Sequence, residues 1–180
     1  MTYRSQKRRW IFCLALAGAA ATPATASDKR DFEACDGLMH PGRQDDGMRN
    51  RAEQRFGSIA PSSSASVIAA CGRALASPRL LESQSLRRAH LLRARAAAYL
   101  QDGNTTAAIA DLDTAEAATR ALAADRFFKR SMGLSLTLLR GLAFVQSGRM
   151  DDAVRLARAA MAERPYALPV QDVGTRILQA

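Results

Sequence analysis

Apolar residues recur at helical spacing through residues 61–180. This part of the chain is rich in alanine, leucine and arginine, and its apolar positions repeat every three or four residues almost to the end. That period is typical of amphipathic α-helices, whereas strands alternate apolar and polar residues. β-Branched residues are sparse and never alternate over a useful length. The pattern predicts an all-α fold.

Residues 27–60 lack this pattern. Pro41-Gly42 and Asp45-Asp46-Gly47 interrupt a polar stretch whose apolar residues follow no clear period, and such combinations are typical of turns. We expect mostly irregular structure here, with one short helix around residues 48–56. Proline followed by serines favours a helix N-terminus, so the helical domain is expected to begin at Pro61.

The strongest pattern is an internal repeat with an offset of 45 residues. The segment YLQDGNTTAAIADLDTA begins at Tyr99, and the segment FVQSGRMDDAVRLARAA begins at Phe144. Periods of roughly 20–50 residues are typical of stacked helical units. The positions that coincide are Tyr99 and Phe144, Gln101 and Gln146, Gly103 and Gly148, Ala108 and Ala153, and Ala115 and Ala160.

Each copy of the repeat predicts two helices joined by a tight turn. Gly103 can take the left-handed conformation that ends a helix, and Asn104 or Thr105 can cap the next one. So short a link makes the two helices antiparallel. Since one such pair cannot bury its apolar face alone, we expect the pairs to stack. The open end should be covered by a final helix that is apolar at Val170, Val173, Ile177 and Leu178.

These residues resemble tetratricopeptide repeats. That family places a small residue, an aromatic, a glycine, two alanines and a terminal proline at set positions in a 34-residue unit. The resemblance spans roughly residues 64–165, with a third, partial match around Cys71. The matching residues are Ala96, Tyr99, Gly103, Ala108 and Ala115 in one copy, and Gly141, Phe144, Gly148, Ala153, Ala160 and Pro165 in the other.

The chain also departs from the family pattern. Leu92 and Thr137 stand where the family has an early tryptophan, and Arg120 stands where the first copy would end in proline. The 45-residue offset leaves an insert of about 11 residues relative to the family unit. A helical hairpin array outside the family is therefore the alternative interpretation.

The resemblance implies a short α-solenoid of antiparallel hairpins with a concave groove. Arg95 would pair with Asp111 across one hairpin, as in a common bacterial variant, although Arg95 facing a ligand is the alternative. Arg140 recurs at the equivalent position without a matching aspartate. Carried over by position, the groove lining comprises His90, Arg93, Ala97, Leu100 and Gln101 from one pair, and Leu138, Leu142, Val145 and Gln146 from the next. Core packing is the alternative for the two leucines of the second pair.

Residues 1–26 have the layout of a secretory signal peptide. Residues 4–9 carry four basic side chains, residues 10–21 are apolar or small, and Ala24-Thr25-Ala26 offers a cleavage site. The apolar run of 12 residues is shorter than the roughly 20 of a membrane-spanning helix. We expect cleavage after Ala26 and a periplasmic or secreted protein, exported by the general or the twin-arginine route.

Cleavage would leave two cysteines, Cys35 and Cys71. In an oxidising compartment two thiols favour one disulfide, which would tie residues 27–60 to the helical domain. A free Cys35 and a buried Cys71 are the alternative. Cleavage would also lower the net charge from +9 to +5, an excess that is usually a solvated surface but also suits an anionic partner.

No catalytic or metal-binding motif is recognisable. The chain has no phosphate-binding loop, GxSxG or HExxH, and neither His40 nor His90 has partners at triad or ligand spacing. We expect no enzyme, cofactor, metal or nucleic-acid partner. The favoured function is a non-catalytic module that binds an unidentified protein or peptide in the groove. The alternative is a structural envelope protein whose arginines bind anionic membrane or polysaccharide surfaces. The sequence does not decide between a monomer and a homodimer.

Overall fold

The computed structural model describes residues 25–36 and 63–180, and within these ranges the fold is all-α with no strand. The apolar spacing predicted this class. The principal helices are α1 (Thr25–Asp36), α2 (Ser64–Ala76), α3 (Ser85–Gln101), α4 (Thr105–Ala118), α5 (Leu134–Gln146), α6 (Met150–Glu163) and α7 (Leu168–Gln179).

The chain between α4 and α5 holds the insert that the 45-residue offset requires. A 3₁₀ turn at Arg120–Leu122 follows α4, and a short α-helical turn at Arg126–Phe128 leads into a π-helical turn at Lys129–Gly133. Asp125 caps this run because its carboxylate accepts hydrogen bonds from the backbone N–H groups of the two phenylalanines that follow, at 2.8 and 2.9 Å. The π turn continues directly into α5, which extends that helix at its N-terminal end.

Both repeat glycines have the backbone conformation that their positions require. Gly103 and Gly148 each have φ of 74°, in the left-handed region that ends many helices. After the first glycine, Asn104 caps α4, since its side-chain oxygen accepts a hydrogen bond from the N–H of Ala107 at 3.1 Å. The predicted tight turn is therefore confirmed, with Asn104 rather than Thr105 as the cap.

Helices α1 and α2 form a hairpin that the sequence did not predict. The predicted disulfide joins Cys35 to Cys71, and Asp31 of α1 lies 2.8 Å from the Arg73 guanidinium of α2. The earlier residue of α1, Asp31, contacts the later residue of α2, Arg73, and Cys35 contacts Cys71. The two helices are therefore antiparallel. Two further pairs, α3 with α4 and α5 with α6, pack against each other in chain order.

The first helices of the second and third pairs run in the same direction. Arg93 of α3 donates to Ser135 of α5 at 3.1 Å, and the Gln146 side chain of α5 donates to the carbonyl of Leu100 at 2.9 Å. The later contact residue of α3 meets the later contact residue of α5, so the two helices are parallel. The described part is thus a series of three hairpins followed by α7.

Small residues at the helix contacts form much of the core. The repeat alanines are no more than 1% exposed, and their small side chains let the helix backbones approach closely. Helix α7 approaches Gly141 closely, because a Cβ added at Gly141 would lie only 2.9 Å from a methyl group of Ile177. Helix α7 packs against α6 and α5, and of its four predicted apolar positions only Leu178, 40% exposed, is not buried. The buried repeat alanines are Ala96, Ala108, Ala115, Ala153 and Ala160.

The prediction of a mostly irregular segment at residues 27–60 is wrong for residues 27–36. These residues belong to α1, whose polar sequence TASDKRDFEACD carries no apolar stripe. Helix α1 is held by ion pairs and the disulfide instead. The predicted helix at residues 48–56, His40, and the signal peptide up to residue 24 lie outside the described residues.

Replacing Gly148 by alanine tests the left-handed turn. We expect Gly148→Ala to lower the free energy of unfolding by about 1 kcal/mol, because an L-residue is strained at this φ. No atom lies within 4 Å of the added Cβ, so strain is the only cost. Gly72→Ala, inside α2, is the matched control, since its Cβ would lie at an ordinary contact distance of 3.8 Å from Nη1 of Arg95 on α3, and it should stabilise by up to about 1 kcal/mol. Urea denaturation followed by circular dichroism measures both, and shifts of the same sign would contradict this account.

Reduction of the disulfide should destabilise the protein by about 3–4 kcal/mol, because the bridge spans 36 positions and restricts the unfolded chain. Denaturation with and without dithiothreitol measures this loss. A Cys35→Ala/Cys71→Ala variant is the control, and its stability should not respond to the reductant. A wild-type protein that is equally stable in both conditions would show that the bridge does not form.

Candidate functional site

Most residues of the predicted groove lie in the interior. Five of the nine are no more than 2% exposed and therefore present no surface to a partner. Of the other four, two are half-buried and two are exposed. The buried residues are His90, Arg93, Ala97, Leu100 and Leu138, and those that retain exposed surface are Gln101, Leu142, Val145 and Gln146.

His90 and Arg93 belong to a buried polar network that joins α1, α3 and α5. Both nitrogens of the Arg87 fork donate to the Asp36 carboxylate, Nη2 at 3.0 Å. His90 Nε2 lies 3.6 Å from the same carboxylate. Arg93 Nη2 lies 3.0 Å from His90 Nδ1, and its Nη1 donates to Ser135 Oγ at 3.1 Å. Because guanidinium nitrogens only donate, Nδ1 is the acceptor, and the neutral His90 that fits these contacts carries its proton on Nε2.

This arrangement of Asp, His and Ser is not a nucleophile–base arrangement. Nucleophilic catalysis requires a base with a free lone pair beside the hydroxyl. The hydroxyl of Ser135 is contacted by Arg93, and an arginine stays protonated and accepts no proton. Hydrogen-bonded charges in a protein interior can instead fix how helices are aligned. The network therefore connects α1, α3 and α5, the first helices of the three hairpins.

The predicted pairing of Arg95 with Asp111 is confirmed. Nε and Nη2 of Arg95 donate to the two carboxylate oxygens of Asp111, each at 2.7 Å. Hydrogen bonding to Asp111 raises the pKa of the Arg95 guanidinium. The Arg95 guanidinium also lies 5.9 Å from the centre of the Tyr99 ring. This ion pair connects α3 to α4 across the second hairpin.

Arg140, for which the sequence offered no partner, pairs with the preceding hairpin. Its Nη2 lies 2.7 Å from Asp113 and 3.1 Å from Glu116, both on α4. Burial works to lower the pKa of Arg140, but the two carboxylates outweigh it and raise the pKa. The two repeat arginines therefore differ in role, because Arg95 joins helices within a hairpin and Arg140 joins one hairpin to the next.

Many other arginines of the described part also lie beside carboxylates. Such pairs neutralise positive charge locally, so they leave less for an anionic membrane or polysaccharide. Asp152 accepts from two arginines, and the hydrogen bonds from Arg155 and Arg149 lower its pKa. The remaining pairs join Arg73 to Asp31, Arg79 to Asp28, Arg130 to Glu163 and Arg176 to Asp172.

Residues 164–168, which comprise the link between α6 and α7 and the first residue of α7, expose apolar side chains. Tyr166 is 96% exposed and Leu168 is 82% exposed, more than any other large apolar residue in the described part of the chain. We call this segment the Tyr166 loop. Our sequence analysis did not predict it, although Tyr166 stands between Pro165 and Pro169, where the helical spacing stops.

Hydrogen bonds hold the Tyr166 loop in place on both sides. The Gln171 side chain donates to the carbonyls of Met161 and Arg164 at 3.0 and 3.1 Å. The Arg164 guanidinium donates to the carbonyl of Arg130 at 2.7 Å, which ties the loop to the N-terminal extension of α5. Ala167, between the two exposed residues, is only 9% exposed. The backbone is therefore fixed while Tyr166 and Leu168 point outward.

Residues 25–36 and 63–180 contain no group of three or more histidine, cysteine, aspartate or glutamate side chains placed to hold a metal ion. No helix in these ranges combines the length and the apolar character that crossing a membrane requires. No protein-family model matches the sequence, and neither the curated proteins nor the solved structures contain a match. The tetratricopeptide resemblance therefore stays a prediction.

Removing one carboxylate at a time compares how much a buried and an exposed carboxylate each contribute to the free energy of unfolding. We expect Asp111→Ala to lower the free energy of unfolding by about 2 kcal/mol, because it leaves a half-buried guanidinium without its charged acceptor. Asp113→Ala is the matched control. Its side chain is 62% exposed, and its loss should cost less than about 1 kcal/mol. Urea denaturation measures both, and equal losses would show that burial does not govern these pairs.

Proposed function

We propose that this protein is a non-catalytic binding module, built of tetratricopeptide-like helical hairpins, that captures another protein through the Tyr166 loop. The observation that carries the proposal is the outward position of Tyr166 and Leu168, 96% and 82% exposed, on a loop whose backbone is held by hydrogen bonds. Adjacent exposed apolar side chains of this kind are a feature of protein interaction sites.

The composition of the Tyr166 loop suits a protein interface. Tyrosine and arginine are among the residues that contribute most binding energy at such interfaces, and the loop holds Arg164 and Tyr166 two positions apart. A loop already fixed in one conformation loses little entropy when it binds. Leu168 adds apolar area beside them.

The location of the loop separates it from what remains of the predicted groove. Arg164 contacts the backbone at Arg130, near the N-terminal end of the α5 run, whereas Val145 and Gln146 lie at its C-terminal end. Sixteen residues of helix place these two ends roughly 24 Å apart. We therefore assign binding to the loop, and the remaining groove residues are a distinct surface.

The proposed location is the bacterial cell envelope, either periplasmic or secreted. Two observations support it. The first 26 residues have the layout of a signal peptide, and the Cys35–Cys71 disulfide is of a kind that persists mainly in oxidising compartments. The work of the hairpins is then to hold the binding loop rigidly.

Photo-crosslinking tests the proposed function. A benzophenone amino acid is placed at position 166, at position 142 in the predicted groove, or at position 81, where Leu81 is 57% exposed. We expect a specific protein adduct from position 166 alone, in cells that express the protein from its own signal sequence. Adducts from position 142 alone would return binding to the groove and overturn the assignment to the loop.

The affinity for the crosslinked partner then measures the contribution of the loop. Tyr166→Ala/Leu168→Ala should weaken binding by about 30-fold or more, which corresponds to roughly 2 kcal/mol for a central interface contact. Leu81→Ala removes a similar exposed side chain at another site and should leave affinity unchanged. Circular dichroism confirms that both variants remain helical. Equal affinity of all three proteins would contradict the proposal.

A further inference from the structure

The surroundings of the Tyr166 loop are richer in basic side chains than in acidic ones. Arg164 lies in the loop and is hydrogen-bonded to the Arg130 backbone at 2.7 Å. Lys129 precedes Arg130 on the π turn, and Arg126 lies one turn earlier. Arg126 and Lys129 are exposed, and the Arg130 side chain is 52% exposed. Four cationic groups therefore lie in the loop or on the helical run that Arg164 contacts.

The nearby carboxylates offset only part of this charge. Asp125 uses its Oδ1 to cap the helical run that begins at Arg126. Glu163 lies 3.6 Å from Arg130 Nε, with both side chains about half exposed. Such a separated and hydrated pair is weak. Arg95, in contrast, makes a short bidentate pair with a carboxylate, so the cations of this corner are less neutralised than Arg95.

Besides Tyr166, a second exposed aromatic side chain, Phe127, lies on the short helical turn that begins at Arg126. Phe127 is 44% exposed, and the Arg126 guanidinium lies 5.0 Å from the centre of its ring. The corner formed by residues 126–130 and the Tyr166 loop thus combines apolar and cationic groups. Complementary charge steers association and selects among partners.

We infer that the segment received at this corner is an acidic peptide segment of the partner, in which an apolar anchor is flanked by carboxylates. The inference rests on the proposed function and names the chemistry of its partner. The apolar anchor would contact Tyr166 and Leu168, and its flanking carboxylates would pair with Lys129, Arg130 and Arg164. Binding of this kind is sensitive to salt, because the cations involved are exposed.

An anionic lipid surface is the competing occupant, and the charges here favour the peptide. A helix or loop that lies in a membrane interface presents a broad apolar face with basic flanks. Here the apolar face consists of a few side chains. Asp125 and Glu163 directly precede the two segments of the corner, and Asp172 lies one turn beyond Leu168 on α7. A lipid surface of uniform negative charge would repel these carboxylates, whereas a peptide can place its charges around them.

Tryptophan fluorescence provides a direct test, because Trp10 is the single tryptophan of the chain. In a Trp10→Phe/Tyr166→Trp variant, the introduced indole reports on the loop. The probes are two short amphipathic peptides with identical leucine positions, one with glutamate and one with lysine at every polar position, and phosphatidylglycerol vesicles. We expect the glutamate peptide to shift the emission to shorter wavelength and high salt to weaken its binding.

A matched pair of charge reversals locates the effect. Lys129→Glu should weaken binding of the glutamate peptide by about tenfold. Lys29→Glu changes the same residue type by the same charge on α1, which packs against α2 and α3 at the other end of the stack, and should leave binding unchanged. Equal weakening by both variants would show that net charge acts rather than this corner, and would overturn the inference.

The remaining outcomes separate failure of the inference from failure of the proposed function. Equal binding of both peptides would overturn the acidic-partner inference while leaving apolar capture by the loop intact. A response to vesicles but to neither peptide would overturn both, because the loop would then contact lipid. A response to none of the probes would overturn the inference alone, since crosslinking from position 166 tests the function independently.

Discussion

Ion pairs between arginine and carboxylate side chains align α1 to α5 in a stack whose core contains many alanines. Alanine allows backbones to approach closely, but it gives little directional information because it has no rotamers to interlock. The bidentate pairing of Arg95 with Asp111 aligns α3 with α4, and Arg140 with Asp113 and Glu116 aligns α5 with the hairpin before it. Of the two arginines at equivalent repeat positions, Arg95 thus aligns the helices within a hairpin and Arg140 aligns one hairpin with the next.

The buried network around His90 extends this alignment to the first helices. Asp36 of α1 and Ser135 of α5 both contact side chains of α3, so three hairpins are connected along one face. In a tetratricopeptide array that face would be an open groove. Here five of the predicted groove residues are buried, which directs attention to the Tyr166 loop beside the N-terminal extension of α5.

Local features of the fold could be predicted from the sequence because their causes are local. Gly103 and Gly148 each end a helix since glycine tolerates a φ of 74°. The Arg95–Asp111 pair was expected from the resemblance to tetratricopeptide repeats. Helix α1 was missed because ion pairs and a disulfide, rather than an apolar stripe, hold it. The burial of His90 and Arg93 and the partners of Arg140 were missed because they depend on neighbouring helices that a position in one repeat does not specify. The core packing of Leu138, by contrast, was one of two interpretations that the sequence left open. The Tyr166 loop was missed because exposure depends on where the chain turns.

Hydrogen–deuterium exchange of the protein with and without its crosslinked partner tests the central claim most directly, since it reports on the loop and on the first-helix face in one measurement. The account predicts slower exchange at residues 126–130 and 164–168 in the complex, with slow and unchanged exchange in α3. Protection of α3 on binding, with no change at the loop, would contradict it, because the partner would then enter a face that these contacts hold closed.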